Sequence, residues 1–567
     1  MATIIKKTKK GRPYYYAVES KRVNGKPRIV WQKYLGTLDS IVKRTERCSP
    51  AKPKQAVIFE AGGLAALIRI TQRLNLIELI NEVSPKREQG PTVGHYMILA
   101  ALNRALSPAS KLAIGQWYEH TVLRRLWGFN KSVFSSQRFW DHMDRLSEQQ
   151  IETIQKRLIP RIEEHFGLDS SVLLYDTTNF FTFLATTNES SNLAQRGHSK
   201  QKRHDLRQIG LALLVTRDFQ IPLFHQLYPG NLPDVTLFPQ LARELVARYR
   251  KITSTAPEAT LVFDKGNVSD DAMEQLVVTN THFVAALAAN RCPELLETPQ
   301  ERFQPVEGLP GCLAFNTQQT LWGKSCQAVV VYTESFFTQQ LQGVTQNLVK
   351  CQKKLLDLTR SLERWRQGKC RGRKPTLAST QKRVREILTP QFMKNLIQVD
   401  IEQAEKTQTP RLRYGLDHKA FQRLSQQRLG RTVLVTDNLE WTPRQIIETY
   451  RNLSAVEEAF KNMKNTHFLR WQPAYHWTDQ KLQVHAFYCV IALLIGSLAR
   501  KVACEAGVKI TLPALLKELS AIREVAVIYP AGTLAHPKDH ITLSRMSPRQ
   551  LKLAKALEIC QTLQKKG

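Results

Sequence analysis

Acidic residues are scarce in this chain of 567: 49 Asp and Glu stand against 82 Lys and Arg, a formal charge of +33. The deficit points to a polyanionic partner, because Lys and Arg that neutralise phosphates release condensed counterions whatever the base sequence. The alternative is a generally soluble basic protein. Cysteine is sparse and scattered, at Cys48, Cys292, Cys312, Cys326, Cys351, Cys370, Cys489, Cys504 and Cys560, with no CxxC pair. Neither a zinc knuckle nor a secreted disulfide framework is indicated, and a reducing cytosol fits best. No apolar stretch follows the basic start Lys6, Lys7, Lys9, Lys10, so no signal peptide is expected. Long apolar runs are missing too. The longest, Ala486 to Ala499, is interrupted by Gly496 and Ser497 and ends at Arg500. That is short of the roughly 20 residues a bilayer requires, so a buried helix and no membrane partner are expected.

What is present divides into about three to five domains, since so long a chain exceeds one core. Residues 1–54 carry fifteen Lys or Arg against three acids, interleaved with Tyr14, Tyr15, Tyr16 and Trp31. Asn24-Gly25 between the strand-like runs Tyr14 to Arg22 and Arg28 to Gly36 predicts a β-hairpin. Such a sheet suits DNA, or is simply small with a solvated basic face. Residues 55–166 change to a helical period, with apolar runs at Leu64 to Ile68, Leu74 to Ile80, His95 to Leu106 and Trp117 to Leu126. This predicts an all-helical module, expected to bind DNA, although core packing explains the same pattern.

A strand-rich block, residues 167–290, follows. Ser171 to Asp176, Gln208 to Thr216 and Ile221 to Leu227 read as strands, then a helix over Asp234 to Tyr249. A strand over Ala259 to Asp264, a helix over Ser269 to Val278 and a strand over His282 to Leu287 complete the order βββαβαβ, that of a ribonuclease H-like fold. Asp176 and Asp264 would each end a buried strand. If those strands are neighbours, two carboxylates converge, and their mutual repulsion implies a shared hard divalent cation. An Asp after an apolar strand is otherwise a helix cap or turn former.

Residues 291–430 leave this pattern and read as an insertion with strands and a basic helical hairpin. Leu341, Val344, Leu348, Cys351, Leu355, Leu358, Leu362 and Trp365 form a heptad seam on one long helix. Thirteen Lys or Arg against two acids lie between Lys350 and Arg385, centred on the Gly368 to Pro375 turn. The same segment also reads as a solvated coiled segment used for dimerisation or packing.

Residues 431–505 hold a third acid, Glu457, and 506–567 form a basic, helical C-terminal region. Tyr450, Glu457 and Lys464 repeat every seven residues, and on one continuous helix they share a face. An acid for a metal, a cation for phosphate and an aromatic would then meet one DNA strand. Alternatively Ser454 and Glu457 form a capping box that starts a new helix, with Leu453, Val456 and Phe460 buried. The expected fold class is therefore multidomain α+β and α/β: a ribonuclease H-like catalytic domain interrupted by an insertion, preceded by a β-hairpin and a helical module.

Leu174-Tyr175-Asp176-Thr177-Thr178, Phe263-Asp264-Lys265-Gly266 and Tyr450-Arg451 through Glu457, Phe460 and Lys464 together resemble the DDE transposases of bacterial insertion sequences. The pattern is most similar to the insertion sequence four group, marked by a Tyr, Arg, Glu, Lys signature. Gly197-His198-Ser199-Lys200 with Arg203, Asp205, Leu206 and Gln208, then Pro229-Gly230-Asn231 with Asp234, and Tyr475-His476-Trp477-Thr478-Asp479 with His485, also resemble this group. One position departs: Leu453 stands where the family carries arginine, and Arg451 is the candidate for part of that phosphate contact.

The resemblance implies a recombinase that binds the terminal inverted repeats of its own element in double-stranded DNA, and target DNA, as a homodimer in the synaptic complex. Two Mg2+ (or Mn2+) ions held by Asp176, Asp264 and Glu457 would serve phosphodiester hydrolysis and then strand transfer from the freed 3′-hydroxyl, in this group often through a hairpin end. Lys464 would contact the phosphate beside the cleaved bond and Tyr450 would position the end. Lys200, Lys202 and Arg203 would line the DNA channel, or form a solvated basic loop; His198 and His204 have no ligand spacing. A cytoplasmic, nucleoid-associated location is expected. A non-transposing metal-dependent nuclease and a catalytically silent repressor are the competing readings.

Overall fold

The structure is a computed structural model that describes residues 2–23, 25–46, 53–85, 90–185, 187–197, 203–232, 259–278, 281–403, 409–529 and 540–564. The helix expected over 234–249 therefore lies outside the described residues, as do Lys200 and Lys202. The chain forms two compact units: Met1–Arg69, Lys111–Ser135 and Val502–Gly567 in the first, Ile70–Ser110 and Ser136–Lys501 in the second. The stretch 55–166, expected as one helical module, is thus shared between them.

The first unit opens with a three-stranded antiparallel sheet of β1 (Ala2–Lys9), β2 (Arg12–Val23) and β3 (Lys26–Gly36). The β2–β3 hairpin is the one the sequence predicts. The strand β1 is additional: Lys10 (φ 49°) and Gly11 (φ 77°) both take positive φ, the demand of a type I′ turn, which Gly11 meets without a Cβ penalty. The helix Leu38–Glu46 follows, then β4 (Gln55–Glu60).

The second unit holds a nine-stranded mixed sheet. Five of its strands, running in from one edge, are β7 (Pro222–Pro229), β6 (Arg207–Thr216), β5 (Val172–Thr182), β8 (Thr260–Phe263) and β9 (His282–Leu287). β5, β6 and β7 form an antiparallel meander, while β5, β8 and β9 run parallel, with the helix Asp270–Val278 crossing between β8 and β9. β8 is buried along its whole length and β9 from Phe283 on, which is why both read as short continuous apolar runs.

Beyond β9 the sheet continues through strands that the sequence assigns to the insertion. β10 (Gln304–Pro305), β11 (Cys312–Leu321) and β12 (Lys324–Thr333) precede a long excursion, and β12 pairs with β15 (Arg431–Thr436), which pairs with β9. The physical reason is edge protection: β9 would otherwise present a buried apolar strand with unpaired backbone, and Val433–Val435 and Ala328–Val330 cover it.

The segment that leaves the sheet is 334–430. Its 33-residue helix Glu334–Arg366 buries Val344, Leu348, Cys351, Leu355, Leu358 and Leu362, the seam read from the heptads. That seam closes within the chain, on the helix Leu377–Ile387, the hairpin β13 (Ile397–Gln403) and β14 (Pro410–Leu416), and the helix His418–Gln427. The two helices flank the basic turn at Gly368 to Pro375.

The helix Asp479–Glu505 contains the longest apolar run. It is long and apolar enough to cross a membrane, but 94% of its apolar window is buried inside the protein, as expected for a core helix. The first unit is completed by β16 (Arg523–Ile528), which pairs with β4 and with β17 (His540–Leu543).

Candidate active site

Asp176 does not end its strand, contrary to the sequence reading. β5 runs on to Thr182 because its pairing with β6 extends from Leu173 to Thr182, whereas its pairing with parallel β8 stops at Leu174. The carboxylate therefore sits where one neighbour has run out and the other has not. β8 ends at Phe263, and Asp264 follows. Leu174 faces Val262, so continuing the register by two residues sets Asp176 level with Asp264. Neighbouring strands lie about 4.8 Å apart, so the parallel register itself brings these acids together.

Asp264 occupies the N-cap position of the short turn Lys265–Asn267, yet its side chain makes no capping hydrogen bond. Its Oδ1 instead accepts a hydrogen bond from the Tyr450 hydroxyl at 2.8 Å. Tyr450 is half-buried near the end of the helix Pro443–Arg451, which starts at a Thr442–Gln445 capping box with Pro443 in its first turn and buries Ile446, Ile447 and Thr449.

Tyr450, Glu457 and Lys464 do not lie on one continuous helix. The first helix ends at Arg451 and a second, Leu453–Met463, begins after Asn452. Asn452 keeps right-handed helical backbone angles, and Ala455 N–H bonds the Asn452 carbonyl at 2.8 Å, a tightened three-residue step. Ser454 does not cap the new helix; its hydroxyl donates to the Arg451 carbonyl at 2.9 Å. Val456 and Phe460 are buried as expected, and Glu457 is exposed.

The three acids all bear on the electrostatics of Tyr450. Burial raises its pKa above the ordinary 10.0, and Asp264, the hydrogen bond to Asp264, Asp176 and Glu457 each raise it further. All three carboxylates thus act on one hydroxyl. Hard oxygen donors in a negative field suit a divalent cation such as Mg2+ or Mn2+. Among the described residues, no three His, Cys, Asp or Glu side chains are gathered closely enough to hold one ion. The donor chemistry fits such an ion, and the register places Asp176 and Asp264 side by side, with Glu457 outside any one cluster of three.

Lys464 caps the second helix. Its Nζ donates to Thr178 Oγ1 at 2.6 Å and lies 5.2 Å from the centroid of the Phe180 ring. Asp176, Thr178 and Phe180 alternate along one face of β5, so the ammonium is held about 7 Å along the strand from Asp176. Phe180 stacks on Trp471 at 4.4 Å and 18°. Trp471 N–H bonds the Met463 carbonyl at 2.8 Å, and its own carbonyl meets His485 Nε2 at 2.8 Å. His485 Nδ1 lies 2.9 Å from His476 Nε2. Since a carbonyl only accepts, His485 carries its proton on Nε2.

Buried Arg104 holds the same loop by donating to the carbonyls of Gln472 at 2.7 Å, Arg470 at 3.4 Å and Pro473 at 3.4 Å. Thr178 stood in the first motif without an assigned role, whereas Phe180, Trp471 and Arg104 had no sequence signal of their own. The motif residues His476 and His485 did, and the structure makes them parts of this support.

Other assigned residues go elsewhere. Burial raises the pKa of the Cys312 thiol at the start of β11, and the positive charge of Arg451 acts on that thiol to lower it in part. Arg203 forks onto Asp205 at 2.8 and 2.7 Å, and that pairing pulls the exposed Asp205 carboxyl down to about 2. Gly197, Gln208 and Gly230 converge: Gln208 Nε2 donates to the Gly230 carbonyl at 2.8 Å, and a Cβ at Gly197 would meet that oxygen at 2.3 Å. Asp479 accepts from Ser191 Oγ at 2.6 Å and from the N–H groups of Asn192 and Leu193, each at 3.0 Å.

Carboxylates beyond the ends of buried parallel pairing, on a chain of this charge, define the class of enzymes that act on nucleic-acid phosphodiesters. The family follows from sequence. Residues 168–495, more than half the chain and all of this site, match the family described as "Transposase DDE domain", and the chain belongs to it. No protein of curated function matches. Among solved structures, the cryo-EM synaptic complex of piggyBac transposase with hairpin DNA is similar at 10% identity and a TM-score of 0.37, over 82% of each chain. The Mos1 transposase paired-end complex with the left transposon end is similar at 11% identity and a TM-score of 0.15, over 35% of this chain and 60% of that one. Both scores are too low for argument, so the assignment rests on the family match.

Proposed function

We propose that this chain is a cut-and-paste DNA transposase of the insertion sequence four group, with a ribonuclease H-like catalytic domain and Asp176, Asp264 and Glu457 as its acids. The observation that carries the reading is the β5–β8 register that sets Asp176 level with Asp264, inside the segment that matches the family. The strand order β7-β6-β5-β8-β9, a meander followed by two parallel strands, supports the fold assignment.

Asp176, Asp264 and Glu457 would hold two divalent ions, which when bound supply Lewis-acid polarisation for an in-line displacement at phosphorus. The chain's own part is positioning. Tyr450 fixes the Asp264 carboxylate through one oxygen, and the Lys464 ammonium, braced by Thr178 and Phe180, would face the phosphate beside the scissile bond. In hydrolysis a water oxygen bonds to phosphorus, the P–O3′ bond breaks and the 3′-oxygen leaves as a hydroxyl. In strand transfer the oxygen of that hydroxyl bonds to a target phosphorus, the target's P–O3′ bond breaks, and the target 3′-oxygen leaves carrying the proton. No covalent protein intermediate is needed. The upstream helices would bind the element's ends, 334–430 and its basic turn would assist pairing of two copies, and the reaction would take place at the nucleoid in the cytoplasm.

The test is cleavage of a labelled duplex carrying the element's end, with Mg2+ or Mn2+, by the natural chain and by Asp176→Ala, Asp264→Ala and Glu457→Ala. Metal-dependent nicking that all three changes abolish, with binding retained, is the expected result. Binding without cleavage by the natural chain would favour a repressor. Cleavage that survives Glu457→Ala would mean that another residue supplies the third acid.

A further inference from the structure

The three-stranded sheet at the start of the chain lies outside the segment that matches the family, and its two faces differ. On one, Tyr14 and Tyr16 pack against Tyr34, with ring centroids 6.1 and 5.1 Å apart, Lys7 lies over the Tyr16 ring, and Val18 is buried at 3% exposure. That face carries the sheet's own aromatic packing, with Lys7, Lys9, Arg12 and Arg22 exposed beside it.

The opposite face follows from the pairing. Lys6 faces Tyr15, Ile4 and Lys33 flank Ala17, Trp31 faces Glu19, and Arg28 faces Lys21. Directly opposed residues of an antiparallel pair point to the same side. This side therefore gathers five cations, Lys6, Lys21, Lys26, Arg28 and Lys33, all exposed, around Ile4 and Trp31, which stand 64% and 48% exposed. Its one acid among these pairs, Glu19, is 3.8 Å from Lys21.

We propose that this face is a docking surface for duplex DNA, seated in the major groove. The assignment rests on the transposase reading, which supplies duplex DNA as the substrate. Charge selects the partner: five cations and one paired acid suit a polyanion and would repel a second copy of the same face. Shape agrees, because three strands about 4.8 Å apart span about 10 Å between the outer two, and the major groove is about 12 Å wide. Lys6 and Lys33 sit on the two outer strands, β1 and β3, where they would reach the phosphates on either side of the groove. Trp31 and Ile4 would meet the apolar edges of bases. Such a sheet gives this chain a second hold on the DNA apart from its catalytic unit.

The experiment measures affinity of the full chain, carrying Asp176→Ala to prevent cutting, for a labelled end duplex between about 0.05 and 0.2 M salt. Lys6→Ala/Lys33→Ala is compared with Lys7→Ala/Arg12→Ala, a change of equal charge on the other face. The first pair is expected to flatten the plot of log affinity against log salt by about 1.8, or about 0.9 for each phosphate no longer neutralised, and the second by less than half of that. Trp31→Ala is expected to weaken binding about tenfold. Equal effects of the two pairs, or none from either, overturn the proposal, as does a change in oligomeric state without a change in DNA affinity. If the natural chain cuts the duplex while the salt slope ignores Lys6 and Lys33, the sheet assignment fails and the transposase reading stands. A chain that neither binds nor cuts any end duplex overturns both.

Discussion

The hydroxyl of Tyr450 donates to Asp264 Oδ1 at 2.8 Å, joining residues 186 apart in sequence across the end of the central strands. Hydrogen bonds to a charged group contribute about 1.5–3 kcal/mol, and solvent at the exposed Asp264 favours the lower end. Tyr450→Phe is accordingly expected to slow single-turnover cleavage of an end duplex roughly tenfold, with little change in thermal stability. An undiminished rate would mean that the hydroxyl does not position the carboxylate.

The same tyrosine makes a pH prediction. Burial and the three acids raise its folded pKa above the 10.0 of a free side chain. Below about pH 10 the folded and unfolded chains both hold the proton, and the contribution to stability is complete. Above that the unfolded chain releases the proton while the folded chain keeps it, so stability falls as pH rises toward the folded value. The natural chain is expected to lose more stability between about pH 9 and pH 11 than Tyr450→Phe does. Urea midpoints of the two proteins at both pH values decide it; parallel losses would refute the assignment.

Lys464 is stationed by Thr178 and Phe180. Removing one cation from a phosphate lowers the salt dependence of DNA affinity by about 0.9, which is the expected effect of Lys464→Ala in a non-cleaving background. Thr178→Val keeps the charge and should leave that slope intact while lowering the cleavage rate. Arg203, already forked onto Asp205, should change the slope less than Lys464 when either is replaced by alanine. Filter-binding titrations across salt read all of this directly.

How much of this was legible depends on range. The acids Asp176 and Asp264 stood out because each follows a short apolar run, and parallel pairing of β5 and β8 turned two separate runs into one site. The seam from Val344 to Leu362 was legible because heptad spacing is local. The break at Asn452 was legible only as the alternative of a new helix begun by Ser454 and Glu457, since neither proline nor glycine marks it. That β11 and β12 extend the central sheet was not legible, because their place depends on β15, about a hundred residues later. The support beneath Lys464 was the least visible part: Arg104 and Gln472 are 368 residues apart, and nothing in either segment names the other.

The seam makes a stability prediction that separates packing from pairing of two chains. Leu355 is 0% exposed and sits in the core shared with β13 and β14, whereas Val349 on the same helix is 58% exposed. Leu355→Ala should cost about 2–5 kcal/mol, and Val349→Ala no more than about 0.5 kcal/mol. Chemical denaturation of both variants is the measurement. A concentration-dependent loss for Val349→Ala would instead show that this face pairs with a second chain.

The last prediction concerns Arg104, which is 2% exposed and reaches no substrate. Its guanidinium donates to Gln472, Arg470 and Pro473 and also to the Ala109 carbonyl at 3.2 Å, a fork that a lysine ammonium cannot reproduce. The loop it holds carries Trp471, the stacking partner of Phe180, and Phe180 in turn lies under Lys464. Arg104→Lys retains a charge but leaves buried carbonyls unpaired, at a cost of about 1–3 kcal/mol. The consequence for function should be uneven. End binding depends on many cations and should hold nearly constant, while cleavage depends on where one ammonium and one carboxylate stand and should fall at least tenfold. Measuring both on the same folded variant separates the two: equal losses would make Arg104 a stability residue only, and a selective loss of cleavage would trace the geometry of the site back through Trp471 to a side chain more than three hundred residues upstream in sequence.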